Sequence, residues 1–180
     1  MMVHRHYSGF TLIELMVTLA VAIILMASLV PAYTAVVQRN EVTAQINAFV
    51  GELKFARSEA LKRGAVISLC PATTGSTSCN TASSRWSPSV SGERLVFVDI
   101  DADGEFDGTD VLLKRVTTNS TTVAVSVVDP SPEPAFLRFS PNGLLTAAAA
   151  SIQFSGAGGT QRCVSLTLTG RSTVASGGCS

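Results

Sequence analysis

Gly9-Phe10-Thr11-Leu12-Ile13-Glu14 introduces the stretch that decides the architecture, because from Leu15 to Gln38 the chain then runs for 24 residues without a charge. As a helix rising about 1.5 Å per residue, a run of this length can cross a hydrocarbon core of about 30 Å. Arg5 precedes the apolar block, as a basic residue does in a secretory signal peptide. Two features speak against that reading: Glu14 lies inside the block, and the run exceeds the usual apolar core of about 7–15 residues. A carboxylate in such surroundings costs roughly 2.5–3.5 kcal/mol on insertion scales, which marks it as functional and in need of a positive partner. A cut between Gly9 and Phe10 would create an α-amino group four residues before Glu14, on the same helical face. That amine could belong to the same chain or to a neighbour.

Around this segment the composition is ordinary. The chain has 180 residues, 46% hydrophobic and 14% charged, and its 13 Lys+Arg balance 13 Asp+Glu. A net charge of zero offers no bulk attraction to nucleic acid or to an anionic membrane, and it excludes a histone-like binder or a disordered tail. The mean hydropathy of +0.36 is high for a soluble domain and is concentrated in the first helix. Pro31 lies late in the uncharged run and removes one helical hydrogen bond. It reads as a bend in one continuous helix, because helical patterning resumes after it.

Val42, Ile46, Phe49, Leu53, Ala56 and Ala60 are spaced 4, 3, 4, 3 and 4, one apolar stripe of an amphipathic helix. Glu41, Gln45, Glu52, Arg57, Glu59, Lys62 and Arg63 are assigned to its polar side. Glu59 and Arg63 form an i,i+4 pair, Lys62 and Arg63 complement the helix dipole, and Gly64 serves as a left-handed stop. The helix is expected from about Phe10 to Arg63. Beyond it, short apolar runs alternate with Gly, Pro, Ser, Asn and Asp, which reads as antiparallel strands. They are expected at 65–70, 94–99, 111–117, 121–128, 135–140, 150–155 and 162–169. Trp86 and the Ser-rich stretch 81–91 read as an exposed loop. The fold class is therefore α+β: a long N-terminal helix, transmembrane and then amphipathic, packed on a C-terminal antiparallel sheet or sandwich domain.

The motif Gly9 to Glu14 with its charge-free run resembles the type IV prepilin signature. The resemblance implies a basic leader, residues 1–9, removed by prepilin peptidase between Gly9 and Phe10. It further implies N-methylation of Phe10, assembly with other pilins through the N-terminal helix, and neutralisation by Glu14 of the Phe10 amine of a neighbour. The expected organisation is a leader at 1–9, a transmembrane or filament-core helix at 10–38, an amphipathic helix at 39–63 and a periplasmic β domain at 64–180. The place implied is the inner membrane, spanned once, and then a pilus or pseudopilus.

Within that superfamily the rest of the chain is similar to the GspH/FimT family of minor pilins and pseudopilins. The marks are Phe55-Ala56-Arg57-Ser58-Glu59-Ala60, Val66 to Pro71, Leu95-Val96-Phe97-Val98-Asp99, Leu137 to Gly143, and Val164 to Arg171. The resemblance implies a minor type IV pilin in pilus assembly or initiation, at the tip and with a role in DNA uptake. The alternative is a GspH-like minor pseudopilin of type II secretion. Contact with DNA would use a basic Gly-Arg-x-Arg motif. Gly170-Arg171-Ser172-Thr173 supplies the first arginine and lacks the second, and Arg162 is the other candidate. Beyond residue 116 the only basic residues are Arg138, Arg162 and Arg171, against Asp129 and Glu133, so few phosphate contacts are expected.

Cys70, Cys79, Cys163 and Cys179 all fall in the part that would face an oxidising compartment, and an even count suggests two disulfides. Of the three possible pairings, Cys70–Cys79 and Cys163–Cys179 are expected, because each closes a Gly/Ser/Thr-rich loop. Loops of this size stabilise by roughly 2–3 kcal/mol. No CxxC occurs and both histidines, His4 and His6, lie in the leader, which disfavours zinc. With no histidine in the mature chain and no G-x-S-x-G motif, no catalytic residue and no cofactor is expected. One loop resembles a calcium site. Asp99, Asp101, Asp103, Gly104 and Asp107 match EF-hand positions 1, 3, 5, 6 and 9, and Asp110 stands where a bidentate glutamate is usual. Strands flank it instead of helices, and a polar hairpin turn is the competing reading.

Overall fold

The structure, a computed structural model, describes residues 9–118, 120–130, 133–146 and 149–179, without the side chains of 28–32. The leader residues 1–8 and the Pro31 side chain lie outside the described residues. One helix, α1 (Leu12–Arg63), runs unbroken through position 31. It has 52 residues. Eight strands follow: β1 (Ile67–Ala72), β2 (Glu93–Val98), β3 (Val111–Thr117), β4 (Val123–Asp129), β5 (Leu137–Phe139), β6 (Ala150–Gly156), β7 (Gln161–Leu166) and β8 (Ser172–Ser176).

The chain divides into two compact units, Met1–Val37 and Gln38–Ser180. In the first, Leu12, Ile13, Leu15, Met16, Val17, Leu19, Val21, Ile23, Ile24, Leu25 and Met26 are all exposed. No described stretch of helix is long and apolar enough to cross a membrane. The second unit holds the core. Its part of α1 stops where expected: Gly64 adopts φ +60° and donates its N–H to the Ala60 carbonyl at 2.9 Å, the left-handed cap that a Cβ would oppose.

The strands form two antiparallel four-stranded sheets, ordered β3-β2-β1-β5 and β4-β6-β7-β8. The predicted stripe Val42, Ile46, Phe49, Leu53, Ala56 and Ala60 is buried against both. The first sheet presents Ile67, Leu69, Val96, Leu137 and Phe139 to this core, and the second presents Val123, Val125, Ile152, Phe154, Val164 and Leu166. Because successive strand side chains alternate in direction, Cys70, Ala72, Leu95 and Phe97 face away from α1 into a second cluster with Phe106 and Phe136. Both faces of β1 are therefore buried, which explains why it reads as a continuous apolar run.

Three expectations are corrected. The strand read as 162–169 ends at Leu166, where the Gly170 N–H bonds the Thr167 carbonyl at 2.8 Å and turns the chain. An unforeseen strand, β8, then pairs with β7, Arg162 opposite Ser176 and Leu166 opposite Ser172. Trp86 is 1% exposed; its indole N–H donates to the Pro134 carbonyl at 2.8 Å, and its ring meets Phe49 edge-on at 6.0 Å. Glu52, assigned to the polar side of the helix, is buried. Cys70 is bonded to Cys79 and Cys163 to Cys179.

Candidate functional site

The N-terminal segment is built for helix initiation. Thr11 precedes α1, accepting at Oγ1 from the Glu14 N–H at 3.3 Å and at its carbonyl from the Leu15 N–H at 3.2 Å. Thr11 and Glu14 thus have the spacing of a capping box, with the threonine half of it formed. Glu14 stands in the first turn of the helix, where a carboxylate complements the dipole. Its side chain is exposed, and among the described residues no cation pairs with it. Phe10 is 82% exposed. The positive partner that Glu14 was expected to need is not supplied by the described part of its own chain.

The C-terminal part of α1 and the β7–β8 turn form a second feature. Gly170 has φ +73°, and a Cβ there would stand 2.6 Å from the Gly143 carbonyl oxygen and 3.1 Å from Arg57 Nε, so two loops and a guanidinium meet at a point only glycine allows. Arg57 Nη1 donates to the Gly170 carbonyl at 3.3 Å, while its Nε is buried without a hydrogen bond. Lys54, Arg57 and Arg171 line a groove of about 300 Å³ with Ser58, Leu61, Gly170 and Ser172. Among the described residues no carboxylate lines it. Arg162 stands elsewhere: it pairs with Ser176 at the far end of the β7–β8 hairpin from Leu166 and Ser172, roughly 13 Å along the strand. The structure does not bring Arg162 and Arg171 together.

Sequence reasoning missed a buried ion pair between α1 and β2. Arg94 Nε and Nη2 donate to the two Glu52 carboxylate oxygens at 2.6 and 2.9 Å, and the Arg94 guanidinium carbon lies 5.3 Å from the Phe49 ring centre. The one available signal was parity, since Arg94 is two residues before the core residue Val96 and so shares its face. Other polar side-chain contacts are exposed or partly exposed. Arg63 Nε reaches Glu59 at 2.7 Å, Arg115 pairs with Glu93, and Glu41 accepts from the Ser120 and Thr122 hydroxyls.

In the acidic turn, Asp99 Oδ2 accepts from Ser68 Oγ at 2.5 Å, from the Gly104 N–H at 3.1 Å and from Arg138 Nε at 3.1 Å. Asp101 and Asp103 are exposed and lie beside it. Asp107 and Asp110 close the loop: Asp107 Oδ1 accepts from the Thr109 N–H and hydroxyl, and Asp110 accepts from the N–H groups of Ile100 and Asp107. The Thr109 N–H and then its hydroxyl hold the Asp107 carboxyl below the ordinary range. Burial lifts that of Asp110, and the charges of Asp99 and Asp107 add to the rise.

Comparison with known proteins bears on the family and the fold. The family described as Type II transport protein GspH matches residues 45–170, and the prokaryotic N-terminal methylation motif matches residues 4–30. No curated protein matches the chain. Among solved structures, the type IV minor pilin FimU of Pseudomonas aeruginosa is similar in fold in two crystal forms. One has a TM-score of 0.55 at 19% identity, covering 77% of this chain and 90% of FimU. The other has a TM-score of 0.51 at 17% identity, covering 74% and 91%.

Proposed function

The chain belongs to the Type II transport protein GspH family, and on that premise we propose that it is a minor type IV pilin that takes part in starting or assembling a pilus. The observation that carries this reading is the state of the first helical unit. A methylation motif leads into a helix whose large apolar side chains from Leu12 to Met26 are exposed. A helix apolar on every side needs lipid or other subunits to cover it. In this reading prepilin peptidase cuts between Gly9 and Phe10, the freed Phe10 amine is methylated, and Glu14 meets the Phe10 amine of a neighbouring pilin. Residues 10–38 hold the subunit in the inner membrane before assembly, with the β domain in the periplasm.

The test is the amount of pili sheared from the surface of a strain lacking the gene, against the complemented strain. Loss of pili with restoration on complementation is the expected result. Unchanged pili with a secretion defect would replace the reading with a type II secretion pseudopilin, and no defect in either would overturn both.

Contact with DNA at the pilus tip is a second reading, favoured by the groove in which Arg171 joins Lys54 and Arg57 without a carboxylate. Three phosphate contacts would give a salt slope of about −3 on duplex DNA. Arg171→Ala should lower it by about 1, and an unchanged slope would remove Arg171 from any interface.

A further inference from the structure

The two sheets have four edge strands, β3, β5, β4 and β8, and the first three are defended against a further strand. β3 bears Lys114 and Arg115, and its register with β2 shifts between Val96 and Phe97. β4 loses register between Val127 and Asp129 and runs into Pro130. β5 has three residues, and Leu145 bridges to Phe139 on it. Charge, proline, bulges and short length are the usual means by which an edge is kept from pairing with another chain. β8 is different. Ser172-Thr173-Val174-Ala175-Ser176 is uncharged, lacks proline and keeps an unbroken register with β7, and Thr173 to Ser176 are exposed.

The main chain of β8 offers a ladder on its outer side. The Thr167 N–H bonds the Arg171 carbonyl and the Gly177 N–H bonds the Gln161 carbonyl, each at 3.0 Å. Hydrogen-bonded and non-hydrogen-bonded pairs alternate along an antiparallel ladder. Thr173 and Ala175 therefore bond β7, and the N–H and C=O groups of Ser172, Val174 and Ser176 point away from it. Among the described residues no strand other than β7 pairs with β8. Residues 177–179 turn back instead of covering this edge: Cys179 is bonded to Cys163 on β7 and donates its N–H to Gln153 Oε1 on β6 at 3.3 Å.

The direction of β8 selects the strand that fits. Ser172, its first residue, lines the groove with Lys54, Arg57 and Arg171, and the exposed Leu61 adds an apolar wall. A strand laid antiparallel on β8 ends beside Ser172, so a carboxylate at its C-terminal end comes to the cations. A parallel strand would begin there. Every pair in this sheet is antiparallel. DNA suits the edge less well, because a phosphate track needs cations along its length and β8 carries none.

We propose that β8 accepts an extended segment of a neighbouring subunit as an added antiparallel strand, with a carboxylate at the C-terminal end of that segment seated in the groove of Lys54, Arg57 and Arg171. The main-chain ladder supplies affinity, and the charge-assisted contact in the groove fixes direction and register. In taking a subunit as the occupant, the inference rests on the assembly reading.

The experiment is photo-crosslinking in cells that make the full chain with Thr173→p-benzoylphenylalanine, or with Ser126→p-benzoylphenylalanine on the defended edge β4. Illumination should join position 173 to a protein segment that has Asp, Glu or a chain terminus at its C-terminal end, identified by mass spectrometry of the joined peptide. Position 126 should give no such product. Two further substitutions are made in the chain that carries the probe at 173. Val174→Pro removes an outward N–H and none that β7 uses, and Arg171→Glu reverses an exposed charge at the groove. Each should lower the yield by about tenfold or more; if Val174→Pro lowers the Tm of the purified chain, Arg171→Glu decides alone. No protein product at 173, an undiminished yield in the variants, or a product with nucleic acid in place of protein would overturn the proposal. Sheared pili are measured in the same strains, so the two readings fail separately. Pili restored without a product overturns the added strand alone, and a product with no effect on pili overturns the assembly reading alone.

Discussion

Arg94 grips both carboxylate oxygens of Glu52, at 2.6 and 2.9 Å, with side chains 2% and 1% exposed. The pair fastens the long helix to a central strand of the first sheet. Breaking a buried pair strands a charge, so Glu52→Ala or Arg94→Ala alone should lower unfolding stability by about 3–5 kcal/mol. Glu52→Leu combined with Arg94→Met removes both charges and should be milder than either single change. Denaturant unfolding of the three variants decides the matter; a double variant worse than both singles would contradict the account.

Glu14 makes no ion pair among the described residues, and in the assembly reading it meets the amine of a neighbouring subunit. Glu14→Ala should leave membrane insertion unchanged and reduce incorporation into filaments by about tenfold or more, the equivalent of about 1.4 kcal/mol. Immunoblots of sheared filaments and membranes read the two effects separately. Wild-type incorporation would remove Glu14 from assembly.

Processing should depend on the smallest side chain at position 9. Gly9→Val is expected to accumulate an unprocessed precursor, seen by intact-mass measurement as the chain retaining residues 1–9. A variant of mature mass carrying N-methyl-Phe10 would refute the requirement.

Acid should destabilise the second unit. Glu41 is held below the ordinary value of 4.5 by hydrogen bonds from Thr122 and Ser120, Glu59 by that from Arg63, and Glu93 by that from Arg115. A carboxyl whose pKa is lower folded than unfolded adds stability that is fully present above the unfolded value and is lost as pH falls through the folded one. Asp110, raised by burial, acts in the opposite sense and is outnumbered. Tm should therefore fall between about pH 5 and about pH 3, less steeply when Glu41, Glu59 and Glu93 are all changed to Gln. A flat or rising Tm over that interval would contradict the prediction.

The features legible in the residue order share one property, that their cause is local. The 4-3-4-3-4 stripe from Val42 to Ala60 announces a buried helical face because 3.6 residues make a turn. Gly64 marks the stop, and the methylation motif rests on a few adjacent residues. Cys70–Cys79 and Cys163–Cys179 close short loops, with separations of 9 and 16 residues. What only the tertiary structure decided depends on partners far along the chain. Glu52 looked solvated until Arg94, 42 residues on, came to meet it. Trp86 looked like loop surface until Pro134, 48 residues on, supplied an acceptor and Phe49 a packing partner. The polar sequence Ser172-Thr173-Val174-Ala175-Ser176 became a strand because β7 offered an open edge. Short-range periodicity and backbone chemistry can be read from neighbours in sequence, whereas the burial of a charge or an indole is set by which distant group arrives to satisfy it.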